Sequence, residues 1–202
     1  MAELTVRSGE RFDEEDWALD SYERVQFDDC EWVGVDLTEA EFVGCVFERC
    51  VFAGCKFNAA TLTRVALLQC TLRRTSFFDT RFVDCKLTGT EFLECQWRAA
   101  SISGGDWAYV SLRGQDLAGI DLAGLRLREA DLTEARLDQT NLRGADLGYA
   151  RMKGVTLNGC DLRGAQLEGV RLREVQLSGA LLDVGQAIEV AIAYGARVHG
   201  SA

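Results

Sequence analysis

One stretch, Leu112 to Leu182, decides the fold, because every fifth residue in it is large and apolar. The series reads Leu112, Leu117, Leu122, Leu127, Leu132, Leu137, Leu142, Leu147, Met152, Leu157, Leu162, Leu167, Leu172, Leu177 and Leu182. The same frame continues backwards, without an insertion, through Trp107, Trp97, Phe92 and Phe82 as far as Phe12. A short fixed period over most of a chain indicates a solenoid rather than a globule.

A second position repeats two residues before each large one, and it holds small residues such as Cys30, Val35, Ala40 and Cys45. A spacing of two keeps both side chains on one face of a strand. The next inward residue comes three positions later, so the chain must turn a corner to keep it inside. Each pentad is therefore predicted to be a very short strand plus a turn. A helix is excluded, because five residues advance about 500° and leave no stable apolar face.

The repeat divides the chain into three parts. Residues 1–10 are predicted to form an N-terminal cap, 11–182 the solenoid, and 183–202 a C-terminal helix and tail. No stretch approaches the roughly 20 apolar residues of a membrane span. The start also lacks the apolar segment of an export signal, so we expect a cytoplasmic protein without membrane contact.

The net charge of −10 is placed unevenly along the chain. Residues 1–50 hold 15 Asp and Glu against 4 Lys and Arg, a balance of −11, while the remainder is close to neutral. Such a field opposes the phosphates of nucleic acid, so direct nucleic-acid binding is not expected. A basic protein surface, including one that normally holds DNA, is the natural complement.

The residues that often carry chemistry are poorly placed for it. All eight cysteines occupy the small inward position, interchangeably with Ala, Val and Thr, which is typical of buried filler rather than of metal ligands or disulfides. The one histidine, His199, lies in the tail, and no nucleophile–base set can be assembled around it. We therefore predict a protein that is not an enzyme, with no cofactor and no metal.

The frame ends after Leu182, where Asp183 and Gln186 form a predicted capping box. A short apolar helix over 187–194 follows and ends at Gly195. The helix either plugs the last coil only, or plugs it and also presents an apolar face to a second copy. The residues predicted for such a dimer interface are Val184, Ile188, Ala191, Ile192 and Tyr194.

The N-terminal half also places apolar residues outward, among them Val33, Val46, Leu68, Phe78 and Leu93. Two interpretations stay open for them. Scattered apolar side chains are normal on a protein surface. Alternatively they form a patch that binds a partner.

The pattern A(D/N)Lxx, seen at 130–134 and again at 145–149, resembles that of the pentapeptide repeat family. The resemblance covers residues 10–184. It implies an all-β fold, a right-handed quadrilateral β-helix with four pentads per coil, here of about nine coils at ~4.8 Å each. A short C-terminal α-helix completes the predicted architecture.

Two segments, 117–129 and 179–187, are similar to the quinolone-resistance members of this family in mycobacteria. That resemblance implies a homodimer joined through C-terminal helices, whose rod mimics B-form DNA and binds DNA gyrase. An end-to-end dimer of about 85 Å would match roughly 25 base pairs.

The resulting hypothesis is a non-catalytic DNA mimic that binds gyrase, a type II topoisomerase, and modulates it as an inhibitor or as a resistance protein against quinolones or another toxin. The residues predicted to face gyrase are Asp16, Asp28, Asp29, Glu31, Asp36, Glu39, Glu41 and Glu48. The alternative is a general interaction scaffold with a different protein partner, which would bind through the outward apolar residues.

Overall fold

The backbone winds around four sides, so that residue n lies beside residue n+20 in the next coil. The computed structural model describes residues 5–199. Phe12 pairs in register with Trp32, Trp32 with Phe52, and Leu72 with Phe92, always in parallel. Four pentads thus complete one coil, as the resemblance implied.

Fourteen short strands form the first half of the solenoid. In chain order, β1 to β14 are Thr5–Ser8, Arg11–Asp13, Ser21–Glu23, Val25–Asp28, Glu31–Val33, Glu41–Val43, Val46–Glu48, Val51–Ala53, Thr61–Thr63, Ala66–Leu68, Thr71–Arg73, Arg81–Val83, Glu91–Leu93 and Ser101–Ser103. A three-residue 3-10 turn at Leu172–Glu174 and the helix α1, Val184–Ala193, follow.

Three sides of the solenoid are parallel sheets and one consists of isolated bridges. Side 1 contains β1, β4, β7 and β10; side 2 contains β2, β5, β8, β11 and β13; side 4 contains β3, β6, β9, β12 and β14. Side 3 is a column of single-residue bridges that runs from Asp16 through Asp36, Lys56 and Ser76 to Gln96. The fold is a quadrilateral parallel β-helix, and the predicted fold class is confirmed.

The number of coils differs from the prediction. Regular strands define about five turns, whereas the sequence predicts about nine coils. Beyond Ser103 the pairing continues as isolated bridges, for example Asp131 with Arg151 and Asp161 with Leu181. A two-residue turn fills most of each side in this half, so only one residue per side is left to bridge to the next coil.

The large residue of each pentad fills the interior, as predicted. In the N-terminal half the rings stack from coil to coil, with centroids 4.5 Å apart for Trp32 and Phe52 and 4.9 Å apart for Phe27 and Phe47. After Trp107 leucines take over the same positions, and residues such as Leu137 are completely buried. Every coil thus buries its own apolar residues against both neighbours.

The N-terminal end of the solenoid is closed by charged and polar groups. The Arg7 guanidinium lies 4.6 Å from the centre of the Phe12 ring and is ion-paired to Glu10 at 2.6 Å. The Trp17 indole N–H donates to Glu15 at 2.8 Å. Inward-pointing charges of this kind prevent further strands from pairing with an open edge. Residues 1–4 of the predicted cap over 1–10 lie outside the described residues, and within the rest of it Thr5–Ser8 form the first strand of side 1.

The hydrogen-bonded pairing between successive coils is interrupted on sides 3 and 4, between the coil that contains β14 and the coil that follows it. Gln96 bridges back to Ser76, but no bridge joins it to Asp116 within residues 5–199; the column resumes between Asp116 and Arg136. A cleft of about 800 Å³ lies here, lined by residues 95–103 and 116–121. Ile120 occupies an inward position that holds Ala60, Thr80 and Ala100 in the coils before it, so a larger side chain enters the core at this level.

Gln115 bridges this interruption from the inside, and it is almost fully buried. Its side-chain oxygen accepts hydrogen bonds from the Trp97 indole N–H at 3.0 Å and from the Cys95 amide at 3.3 Å. Its amide nitrogen donates to the Phe92 carbonyl at 3.2 Å. One side chain thus replaces part of the pairing that the backbone loses at this level.

We expect Gln115→Ala to destabilise the protein by about 1–3 kcal/mol, because it leaves the Trp97 indole N–H buried without an acceptor. Chemical denaturation followed by circular dichroism measures the free energy of unfolding. Gln96→Ala is the matched control, since Gln96 lies at the same level but its side chain is exposed. Equal stability of the two variants would contradict the bridging role of Gln115.

Candidate functional site

The eight acidic residues predicted to face a partner surround the first coils. Asp16 and Asp36 lie one above the other on side 3, and Asp28 and Glu48 are paired in the same way on side 1. Glu31 is on side 2 and Glu41 on side 4. The structure therefore does not bring them together in one patch. The eight residues form a ring around the N-terminal end of the rod, here called the acidic collar.

Half of the collar is matched by cations from a neighbouring coil or residue. Arg11 donates to Glu31 at 2.6 Å and Arg49 to Asp29 at 2.8 Å, while the Lys56 amine lies 3.1 Å from Asp36. Arg49 is also paired with Glu48. The hydrogen bond from Arg49 lowers the pKa of Asp29 below its ordinary value. These pairs are exposed, so each contributes little to stability, and their main effect is to lower the local negative field.

The other half of the collar has no cation within ion-pair distance among the described residues: Asp16, Asp28, Glu39 and Glu41. Their charge is not neutralised by an internal cation, although the Gln26 side-chain amide donates to both Asp28 oxygens, at 3.0 and 2.9 Å. The cross-coil pairs were missed in the sequence, although the signal was present. Arg11 and Glu31, Asp29 and Arg49, and Asp36 and Lys56 are each separated by 20 residues, which is one coil.

The C-terminal helix is fixed to the last coil by the predicted capping box. The Asp183 carboxylate accepts the Gln186 amide at 3.0 Å, and the Gln186 side chain accepts the Asp183 amide at 2.9 Å. Gln186 is itself buried and donates to the backbone carbonyls of Leu162 and Ala165, at 2.5 and 2.8 Å. The helix begins three residues earlier than predicted, at Val184, because the cap residue directly precedes it.

The far side of the helix presents a row of apolar side chains to solvent. Val184 is 78% exposed, Ile192 55%, Tyr194 61% and Ile188 38%, while Ala191 is half-buried. Val190 and Ala193, on the opposite side, pack against the core. The helix therefore packs on the last coil and leaves an apolar surface uncovered, while a second copy on that surface stays a prediction.

The outward apolar residues of the N-terminal half do not form one patch. Val33 and Leu93 are on side 2, Val46 and Leu68 on side 1, and Phe78 on side 3. Most are half-buried within their own side. This distribution fits ordinary surface apolarity better than a single binding patch.

The cysteines lie in the interior, as predicted. All eight are free thiols; seven are buried, and Cys95, beside the interrupted ladder, is half-buried. The buried thiols donate hydrogen bonds to backbone carbonyls 23 residues earlier, as the Cys50 thiol does to the Phe27 carbonyl at 3.2 Å. Within residues 5–199 no cluster of three His, Cys, Asp or Glu side chains could hold a metal ion, and His199 is exposed in the tail.

Five-residue repeats, parallel coils and an interior filled by one large residue per pentad define the class of protein, which is a β-helical repeat protein. The model of the pentapeptide repeat region matches residues 45–122, and the model of pentapeptide repeats in eight copies matches 108–144 and 150–183. The chain belongs to the pentapeptide repeat family.

Solved structures share the fold. Two trypsin-treated variants of QnrB1, a plasmid-mediated fluoroquinolone resistance protein, superpose with a TM-score of 0.85. They are 24% and 23% identical in sequence, over 96% of this chain and 98% of theirs. HetL, a pentapeptide repeat protein from the cyanobacterium Nostoc sp. strain PCC 7120, is 20% identical over 87% of this chain and 84% of its own, with a TM-score of 0.45.

No curated protein matched the chain in sequence. In the part of the chain that the structure describes, no helix combines the length and the apolarity needed to cross a bilayer.

We expect the buried cysteines to resist thiol reagents in the folded protein. Burial raises the pKa of Cys55, Cys85 and Cys160 to about 11, so at pH 8 these thiols stay protonated, and the thiolate is the reactive form. A colorimetric thiol assay at pH 8 should count at most one slowly labelled thiol in the native protein, expected to be the half-buried Cys95, and all eight only after denaturation. Rapid labelling of several cysteines in the native protein would contradict this interpretation.

Proposed function

We propose that this protein is a non-catalytic DNA mimic that binds DNA gyrase and modulates its activity, and so confers resistance to quinolones or to another toxin directed at gyrase. The observation that carries the proposal is the likeness of the whole rod to QnrB1, a fluoroquinolone resistance protein, with a TM-score of 0.85 over 96% of the chain. The acidic collar adds a chemical reason, because a protein surface that binds DNA is basic. The proposal puts the protein in the cytoplasm, where gyrase works.

The uncovered helix suggests how the rod reaches its working length. A second copy that packs its own helix against Val184, Ile188, Ala191, Ile192 and Tyr194 would cover these apolar side chains and double the rod. The two acidic collars would then lie at the two distal ends. Negative charge would be concentrated at both tips, and the neutral middle would act as a spacer of fixed length.

The first test is a supercoiling assay with purified gyrase, titrated with this protein in the presence and absence of a fluoroquinolone. We expect either inhibition of supercoiling or protection from the drug at micromolar protein or below. The effect should weaken steeply with added salt, because contacts between exposed charges are screened. No effect at micromolar concentration would overturn the proposal and favour an interaction scaffold with another partner.

A charge-neutralising variant tests the collar itself. We expect the four unpaired acids to matter most, so the concentration for half-maximal effect on gyrase should rise at least tenfold in the quadruple variant Asp16→Asn, Asp28→Asn, Glu39→Gln and Glu41→Gln. The matched control removes four acids from the middle of the rod, Asp84→Asn, Glu91→Gln, Glu94→Gln and Asp121→Asn. A similar loss in both variants would show that net charge matters rather than the collar.

The dimer is tested by charge reversal of the apolar row. We expect Ile188→Asp and Ile192→Asp each to give a monomer by light scattering, because a carboxylate cannot be buried in an apolar interface without a large cost. Val198→Asp is the control, since Val198 is a comparably exposed apolar residue in the tail. A dimer that survives both helix variants would exclude this interface.

A further inference from the structure

The solenoid opens a second time on side 2, between the two coils nearest its C-terminal end. In the preceding coil the Leu132 amide donates to the Arg151 carbonyl at 2.8 Å and the Glu134 amide to Lys153 at 2.9 Å. One coil later the Met152 amide has no backbone acceptor among the described residues. The Gly154 amide donates to the Glu174 carbonyl at 3.0 Å, whereas the regular pairing would give it the Arg173 carbonyl. The chain forms a 3-10 turn over Leu172–Glu174 at this point, which shifts the pairing by one residue.

This shift leaves a cavity of about 460 Å³ in the wall of the rod, here called the side-2 groove. Ala150 and Met152 lie at its floor, and Tyr149 forms one wall. The Tyr149 ring is held in place from three directions. The Arg128 guanidinium lies 4.8 Å from its centre, its hydroxyl donates to Glu168 at 2.5 Å, and Gly169 leaves room for the ring where any Cβ would approach it to 2.5 Å.

The charge of the groove is opposite to that of the whole protein. Four cations line it, Arg113, Arg151, Lys153 and Arg171, against two lining carboxylates, Glu134 and Glu174, and a third, Asp131, which lies 3.5 Å from Arg151. Arg151 and Arg171 lie in successive coils of one column, where like charges repel each other and do not stabilise the fold. Positive charge concentrated in this way, in a chain of net charge −10, indicates a site for an anion.

The hydrogen-bonding capacity of these cations is also largely unused. Elsewhere on the rod arginines form short cross-coil pairs, such as Arg126 with Asp106 at 2.9 Å. In the groove the nearest carboxylate oxygens are 3.7 Å from Arg113, 3.5 Å from Arg151 and 3.6 Å from Arg171, with no side-chain hydrogen bond within the described residues. Arg151 and Arg171 are 73% and 83% exposed in their side chains and free to turn towards a ligand.

We propose that the side-2 groove binds a phosphate group. Arginine guanidinium groups present paired donors that match phosphate oxygens, Lys153 supplies a further charge, and the unpaired Met152 amide supplies a backbone donor of the kind found at anion sites. The volume suits a small phosphate compound rather than a folded partner. The site lies on a different part of the rod from the acidic collar, so it does not depend on binding to gyrase.

The phosphate could come from a small polyphosphate compound or from the backbone of a nucleic acid. The net charge of the chain opposes a long polyanion, so we expect the small compound. Pyrophosphate and a short DNA duplex serve as the two probes, each at constant ionic strength. The readout is the amide resonance of Met152 and the side-chain N–H resonances of Arg151 and Arg171 in ¹⁵N-labelled full-length protein.

We expect pyrophosphate to shift these resonances in a saturable manner, and the DNA duplex to shift them little at the same phosphate concentration. Saturable shifts at the same resonances with DNA alone would assign the site to nucleic-acid phosphate. The double variant Arg151→Gln and Arg171→Gln should bind pyrophosphate at least tenfold more weakly. Arg64→Gln with Arg81→Gln is the control, because it removes two exposed cations on side 4 and should leave binding unchanged.

Two results would overturn the proposal. One is the absence of any shift at Met152 with either probe at 10 mM, a concentration at which even weak sites are occupied. The other is a set of small, unsaturable shifts spread over all exposed cations and unaffected by the Arg151 and Arg171 variant, which would show non-specific screening. The folded state of each variant is checked from its remaining amide resonances, so a folding defect is distinguished from a loss of binding.

Discussion

The backbone hydrogen bond between residue n and the coil 20 residues later is the constraint on which the rest of the structure depends. It repeats every four pentads, so each large residue stacks on a large one and each small residue on a small one, as Phe12 does on Trp32 and Trp32 on Phe52. It also explains the interchangeable inward residues. The Thr90 hydroxyl donates to the Leu67 carbonyl at 2.8 Å, and the Cys70 thiol lies 3.2 Å from the Phe47 carbonyl, so both groups satisfy the same backbone atom 23 residues earlier. Small polar residues can therefore be buried along the rod without leaving a donor unpaired.

The pairing between successive coils is interrupted at two places, and the two interruptions differ in how they are compensated. On sides 3 and 4 the pairing between two coils is lost at the level of Gln115 and Ile120, and the Gln115 side chain restores some of the hydrogen bonds. On side 2 a 3-10 turn shifts the register and no side chain restores it. The first interruption is compensated from within the core, whereas the second leaves an open backbone donor beside a group of cations. The open backbone donor and the neighbouring cations distinguish the side-2 groove from the larger cleft as a site for an anion.

The two ends of the rod have opposite chemistry. Charged residues such as Arg7, Glu10 and Glu15 close the N-terminal end, and their position beside the aromatic core discourages further pairing. The C-terminal end is closed by a helix whose outer row is apolar. In the proposed dimer the second copy joins at this end, and a contact between two identical helices gives two copies instead of a filament. A rod of defined length with acidic tips is the expected outcome, in agreement with the function proposed for it.

The sequence alone determined the frame, the inward and outward positions, the corners and the capped helix, because each depends on residues within one pentad or one helical turn. Asp183 and Gln186 are three residues apart, and their hydrogen bonds are decided locally. The family resemblance supplied the four-sided coil. Only the tertiary structure decided which acids are neutralised, since Asp29 meets Arg49 and Asp36 meets Lys56 across one coil. It alone revealed the two interruptions, because both are losses of pairing between neighbouring coils. The five-residue frame does not contain this information. It predicts a large residue at Leu172, but not that the backbone there forms a 3-10 turn and loses part of its pairing with the previous coil.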